Sequence, residues 1–258
     1  MLGLRPRLGL AAPRVAASSG GGGAVVPATN LTARYISNVL ADFNLTGSSI
    51  NTHAENNGNT DLDIIYISDT KALRQTTHPI NTSEATVDTN NADCLHGTAA
   101  DGTLADYWPS GVGAIYIALF VDSHPDRFSA PDWFMYFGTA LRISVKDGPI
   151  LNVDTNAGAQ TVSTGTITLD AWHLISIRSV TGVDGLRIQI DDEEEAASTG
   201  LACVTLTDVM RMFYSGDDAG RFDGAYADIA VYSATDAVGV TTQRDAVKAA
   251  FRALYNEL

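Results

Sequence analysis

The sequence predicts an all-β fold: two antiparallel sheets packed as a sandwich, preceded by an extended arm and closed by a short helix. Residues 113–122 (GAIYIALFVD) are apolar at nearly every position, as a strand covered on both faces requires. Residues 172–178 alternate instead. Trp172, Leu174, Ser176 and Arg178 share one face, and His173, Ile175 and Ile177 the other. The turn Val183-Asp184-Gly185 then returns the chain through Leu186, Ile188 and Ile190. Charged residues make up only 18%, while Gly, Thr, Ser, Asn and Asp are plentiful, as many tight turns demand.

A chain of 258 residues suffices for one large β domain or two small ones, and 45% hydrophobic residues can fill a core. Charge divides the chain unequally. The net charge is −14, yet no Asp or Glu precedes Tyr35, where Arg5, Arg7, Arg14 and Arg34 stand. All 30 acidic residues therefore fall on the body, which repels nucleic acid. The longest apolar run, 112–121, is too short to span a bilayer as a helix, so no membrane insertion is expected.

Residues 1–30 read as a docking arm and 31–258 as the sandwich domain. In the arm, prolines and arginines interrupt any apolar region, so a start at Met1 reads as uncleaved. Gly20, Gly21, Gly22 and Gly23 have much backbone entropy to lose, and a partner must offset it if the arm is to be ordered. Leu2, Leu4, Leu8 and Leu10 are the expected apolar anchors, with Arg5, Arg7 and Arg14 as ion-pairing partners.

Leu31, Tyr35, Ile36, Val39 and Leu40 recur at helical spacing and predict a short entry helix. Residues 61–68 predict a strand, and 85–88 an edge strand. After the apolar run come short strands at 133–137, 141–146 and 150–153, with Lys146-Asp147-Gly148 turning between the last two. Residues 191–195 (DDEEE) read as a solvated hairpin tip, and 211–214 and 222–232 as the final strands. Thr242 and Asp245 resemble a helix-start capping pair. Val247, Ala250, Phe251, Leu254 and Leu258 follow as an apolar stripe, placing the closing helix at 241–258.

One combination is more specific: a strand opening on Trp172-His173, a return strand ending at Asp191, and a late F-D-G-x-x-x-D-I-x-V-Y run from Phe222 to Tyr232. It resembles the laminin-G-like, concanavalin A-like jelly rolls, well over 113–258 and weakly over 35–110. The resemblance implies a jelly-roll sandwich with a closing helix. It implies no single activity, because this fold hosts lectins, glycanases, adhesins and structural modules.

Catalytic signals are sparse. Glucanases of this fold carry alternating carboxylates on one strand, and no such strand occurs; the acidic run 191–195 lacks the alternating apolar context. There is no G-x-S-x-G elbow and no H-E-x-x-H. His173 reads as a structural strand residue. Cys94 and Cys203 read as reduced buried thiols. The loop 215–220, with Asp217 and Asp218, is the best candidate for calcium, which the resemblance also admits. It reads first as an acidic turn, since ordered ligand spacing is missing. Trp108, Trp133, Tyr136 and Tyr214 stand at strand ends or in loops; Trp133, Tyr136 and Tyr214 are the candidates for stacking on a glycan.

The expected function is that of a non-catalytic virion structural protein of a bacterial virus: a capsid decoration, head fibre or tail-associated subunit. Its Gly-rich start resembles that of phage structural proteins. Its partners would be other virion proteins through the arm, further copies of itself, a trimer among the options, and host-surface polysaccharide. A carbohydrate-binding lectin or adhesin is the alternative, and a glycan hydrolase or lyase of the same fold the second.

Overall fold

The computed structural model describes residues 25–36, 43–46, 49–53, 64–65, 74–75, 87–88, 97–109, 111–121, 132–137, 140–146, 149–155, 160–180, 185–197, 209–212, 224–233, 237–255 and 258. The first strands are β1 (Leu31–Ile36), β2 (Phe43–Thr46), β3 (Ser49–His53), β4 (Ile64–Ile65), β5 (Arg74–Gln75), β6 (Val87–Asp88) and β7 (Gly97–Thr103). One helical turn, α1 (Leu104–Tyr107), leads to β8 (Gly113–Val121), β9 (Asp132–Phe137), β10 (Leu141–Lys146), β11 (Ile150–Thr155) and β12 (Gln160–Thr166). Then come β13 (Ala171–Ser179), β14 (Leu186–Ile190), β15 (Ala196–Ala197), β16 (Val209–Met212), β17 (Gly224–Ser233) and the helix α2 (Ala237–Leu254).

The strands form a jelly-roll-type sandwich of two antiparallel sheets. The large sheet has eight strands in the order β15-β14-β13-β8-β17-β6-β5, with β1 also on β17. The second has six, in the order β12-β11-β10-β9-β16-β7, and β2-β3-β4 make a separate small sheet.

All nine residues of β8 are buried, and its two faces meet different partners. Ile115, Ile117, Leu119 and Val121 join Ile175, Ile177, Phe134, Ile143, Leu151 and Val153 in the core between the sheets. Ala114, Tyr116, Ala118 and Phe120 join Trp172 and Leu174 beneath Val247 and Phe251 of α2 and Tyr255 just after it. The apolar run was expected to lie between two sheets; it lies between a sheet and a helix. Each large side chain so buried contributes about 1.5–3 kcal/mol relative to exposure.

The predicted entry helix is instead β1. Only Ala33 and Tyr35 of this strand are buried, a period of two, and β17 offers backbone partners from Asp228 to Tyr232. That ladder overrides the helical spacing. Tyr35 and Tyr107 then meet hydroxyl to hydroxyl at 2.7 Å inside the core. Residues 25–30 already belong to the body. Val26 is buried against the α2 layer, and the Tyr232 hydroxyl donates to the Pro27 carbonyl at 2.8 Å.

The closing helix begins at Ala237, five residues before the expected cap, so the exposed Thr242 and Asp245 lie within it. Its stripe is as expected: Val247, Ala250 and Phe251 are buried. The predicted edge strand at 85–88 contains β6, which has β17 on one side and β5 on the other. Trp108, expected at a strand end or in a loop, is fully buried. Its ring lies so close to β8 that a Cβ on Gly113 would stand 2.3 Å from Trp108 Cδ1 and 2.5 Å from the Tyr232 carbonyl oxygen.

Candidate functional site

The motif residues behind the resemblance prove to be fasteners. His173 sits near the start of β13 with both ring nitrogens engaged: Nδ1 lies 2.7 Å from Asp191 Oδ2, and Nε2 2.8 Å from the Thr168 carbonyl oxygen. The other Asp191 oxygen accepts from the Leu174 amide at 2.8 Å. Asp228 lies in a bulge of β17, where Tyr226 opposes Leu119 and Asp228 opposes Ala118. The extra residue, Ala227, sets Asp228 beneath α2. There its fully buried carboxylate accepts from Arg34 Nη2 at 2.6 Å and from the Tyr255 hydroxyl at 2.8 Å. Burial alone would lower the Arg34 pKa, but Asp228 more than offsets it and holds the guanidinium charged. One carboxylate thus ties β1, β17 and the end of α2.

The acidic tip after β14 is exposed at residues 192–194, as expected of a solvated hairpin tip, and it is also paired with α2. Lys248 of α2 donates to the Asp191 carbonyl, and to Asp192 Oδ1 and Gln189 Oε1 at 3.1 Å each. Arg252 reaches Asp192 Oδ2 at 2.9 Å. Hydrogen bonds from Arg252 and then Lys248 hold the Asp192 carboxyl below the ordinary carboxylate range. Glu195 gathers three arginines: the buried Arg178, Arg187 at 3.2 Å and Arg244 at 3.6 Å. These carboxylates are spent on structure, and the arrangement holds α2 on its sheet.

The second sheet offers a different surface. Met135 and Phe137 of β9, Leu141 and Ile143 of β10, Val153 of β11 and Met210 of β16 all enter the core. Alternation therefore assigns Arg142 and Asp154 to the outward face. The register aligns them. Arg142 opposes Asp154 on one side and Tyr136 on the other, and Tyr136 opposes Arg211. A second rung runs from Asn152 through Ser144 to Trp133. Ser144, Asn152 and Asp154 are buried, and Arg142 is half-exposed. On this face the Ser144 hydroxyl is buried without a hydrogen-bond partner. Such orphan groups are costly unless a ligand or water satisfies them.

The structure thus places two predicted glycan contacts, Trp133 and Tyr136, on adjacent strand rungs of one sheet, although their side chains are outside the described residues. Tyr214, the proposed calcium ligands Asp217 and Asp218, and Cys94 and Cys203 also lie outside them. So do the arm residues Leu2, Leu4, Arg5, Arg7, Leu8, Leu10 and Arg14. Among the described residues, no three or more His, Cys, Asp or Glu side chains gather to hold a metal, and no helix is long and apolar enough to cross a membrane. Arg142, Asp154 and Arg211 were not singled out from the sequence. The signal was present in LRISVK and ILNVDT, where polar residues alternate with core residues.

The architecture is a two-sheet antiparallel β-sandwich with one C-terminal helix. No protein-family model matches the sequence, and no curated protein matches it. Solved structures do. Trypanosoma rangeli sialidase in complex with sialic acid is similar over 90% of this chain and 35% of that one, at 12% identity and a TM-score of 0.53. The same sialidase with the inhibitor DANA gives 88% and 34%, 11% identity and a TM-score of 0.56. The binding domain of Paraclostridial Mosquitocidal Protein 1 is similar over 86% of this chain and 52% of that one, at 10% identity and a TM-score of 0.55. The chain spans about a third of the length of the sialidase chains it matches. At these identities the likeness concerns the fold.

Proposed function

We propose that this chain is a non-catalytic carbohydrate-binding module whose contact surface is the outward face of the second sheet. The observation that carries the reading is the pair of rungs Asp154–Arg142–Tyr136–Arg211 and Asn152–Ser144–Trp133. Saccharides need aromatic faces for their C–H patches, and amide, hydroxyl and guanidinium groups for their hydroxyls. These rungs bring both kinds of residue into register on neighbouring strands of one sheet. Ser144, Asn152 and Asp154 are buried, so direct contact falls to the half-exposed Arg142 and its flanking rung positions. The similar fold in a sialidase bound to sialic acid, and in the binding domain of a mosquitocidal protein, supports screening sialylated glycans first.

The test is a glycan array that includes neutral and sialylated structures, run with the full chain and with Arg142→Ala and Trp133→Ala. Binding by the parent chain that falls at least about tenfold in each variant, with unchanged circular dichroism, is the expected result. An array without signal, or signal indifferent to both substitutions, would remove the reading.

A second reading, docking to a virus particle through the N-terminal arm, has one structural observation in its favour. The segment that follows the arm is fastened to the body: Val26 is buried, the Pro27 carbonyl accepts from Tyr232, and the Thr29 carbonyl accepts from Gln243 of α2. A force or partner acting on the arm would therefore be coupled to the sandwich. Particle incorporation that is unchanged after deletion of residues 1–24 would dispose of this reading.

A further inference from the structure

We propose that His173 is a buried imidazolium that latches the β14–β15 tip to β13, and through the tip holds the C-terminal half of α2, and that the latch opens as pH rises. The geometry dictates the proton count. The Thr168 carbonyl oxygen, 2.8 Å from Nε2, can only accept. The Asp191 carboxylate, 2.7 Å from Nδ1, already accepts from the Leu174 amide through its other oxygen. Both ring nitrogens must then carry hydrogen. Either neutral tautomer would set a ring lone pair against an oxygen lone pair in a side chain only 8% exposed.

The groups around the ring are consistent with this charge. Asp191 and Glu193 face it from the tip, Leu119 of β8 opposes it, and the Thr168 carbonyl approaches from the turn before β13. Lys248 of α2 stands beyond Asp191, on its carbonyl oxygen, rather than on the ring. Burial alone would lower the imidazole pKa, but the hydrogen bonds to Asp191 and Thr168 outweigh it and raise it above its ordinary 6.5. A raised value sets the sign. The stabilisation is complete below 6.5 and is lost as pH climbs through the folded-state value.

The tip carries the effect to the helix. Asp191 adopts φ 49°, a left-handed conformation that a non-glycine residue holds only when fastened. Its carbonyl is a seat for Lys248, and the next residue, Asp192, is shared by Lys248 and Arg252. When the imidazole becomes neutral, one acceptor loses its donor, the Asp191 turn relaxes, and the seats for both helix cations move together.

Two measurements on the full chain test this. In nitrogen-15 imidazole spectra, His173 should show two protonated nitrogens below pH 6.5 and a midpoint above it, and Asp191→Asn should lower that midpoint by about one unit or more. Amide exchange at residues 248–254, corrected for intrinsic rates, should accelerate several-fold across the same midpoint while β8 stays protected. His173→Gln should leave exchange in the helix fast and independent of pH; if that variant does not fold, Asp191→Asn carries the test through its shifted midpoint. A neutral tautomer below 6.5, a midpoint at or below 6.5, or helix exchange that ignores the midpoint would each overturn the proposal.

Discussion

The outer faces of the two sheets received opposite treatments. On the large sheet, Ala114, Tyr116, Ala118 and Phe120 face outward and are roofed by the chain's own helix, α2. Around the roof run Lys248, Arg252 and Arg244, paired with Asp192 and Glu195. On the second sheet the same alternation sends Arg142, Ser144, Asn152 and Asp154 outward, and the buried Ser144 hydroxyl there has no partner. A single apolar interior thus serves two exteriors, one closed by packing and one left polar. Function is more economically sought on the polar face, because an apolar face that has been covered is already satisfied.

The contrast can be broken most severely at the roof. Phe251 is fully buried on the sheet-facing side of α2, and Phe251→Ala should cost about 3–5 kcal/mol in urea denaturation, with the outer face of the second sheet affected only through global stability. Loss well below that range would mean that the helix is an accessory rather than a layer. Gly113→Ala tests the seam where Trp108 and β17 crowd β8. The added methyl would meet both, and a loss of about 1–3 kcal/mol or more is expected. A neutral effect there would show that the close approach can relax. The smallest effect belongs to the rim. The Asp192 carboxyl is held below its ordinary range, so its contribution is present above the unfolded value and fades as pH falls through the folded one. Because this side chain is 74% exposed, Asp192→Asn should cost no more than a few tenths of a kcal/mol near neutrality and should flatten the acid limb of the stability profile.

Legibility in the sequence followed locality. The apolar run of β8, the alternation of β13 and the stripe of α2 each declare themselves within a dozen or so residues, and each was found where it was expected. The strand β1 was misread because Leu31, Tyr35 and Ile36 satisfy helical spacing, while the ladder that decides the matter is supplied by Asp228 to Tyr232, far along the chain. The pairing of the acidic tip went unread for the same reason. Its partners Lys248 and Arg252 are more than fifty residues away and become neighbours only when α2 lies across the sheet. At the candidate surface, Trp133 and Tyr136 could be picked out as aromatics. Their companions Arg142, Asp154 and Arg211 come from three other strands, and no short window shows that they share a rung.

The clasp at Asp228 has a mechanical consequence. Because β1 runs antiparallel to β17, the segment entering β1 lies beside the end of β17, with Leu31 opposite Tyr232. Tension between the incoming segment and that end would unzip the pair one rung at a time instead of shearing all rungs together. The peeling front meets the Tyr232–Pro27 bond first and then the Arg34–Asp228–Tyr255 junction, where strand, bulge and helix must yield at once. That junction is a ripstop: it confines damage from a pulled end to the first rungs and leaves the sandwich behind it intact.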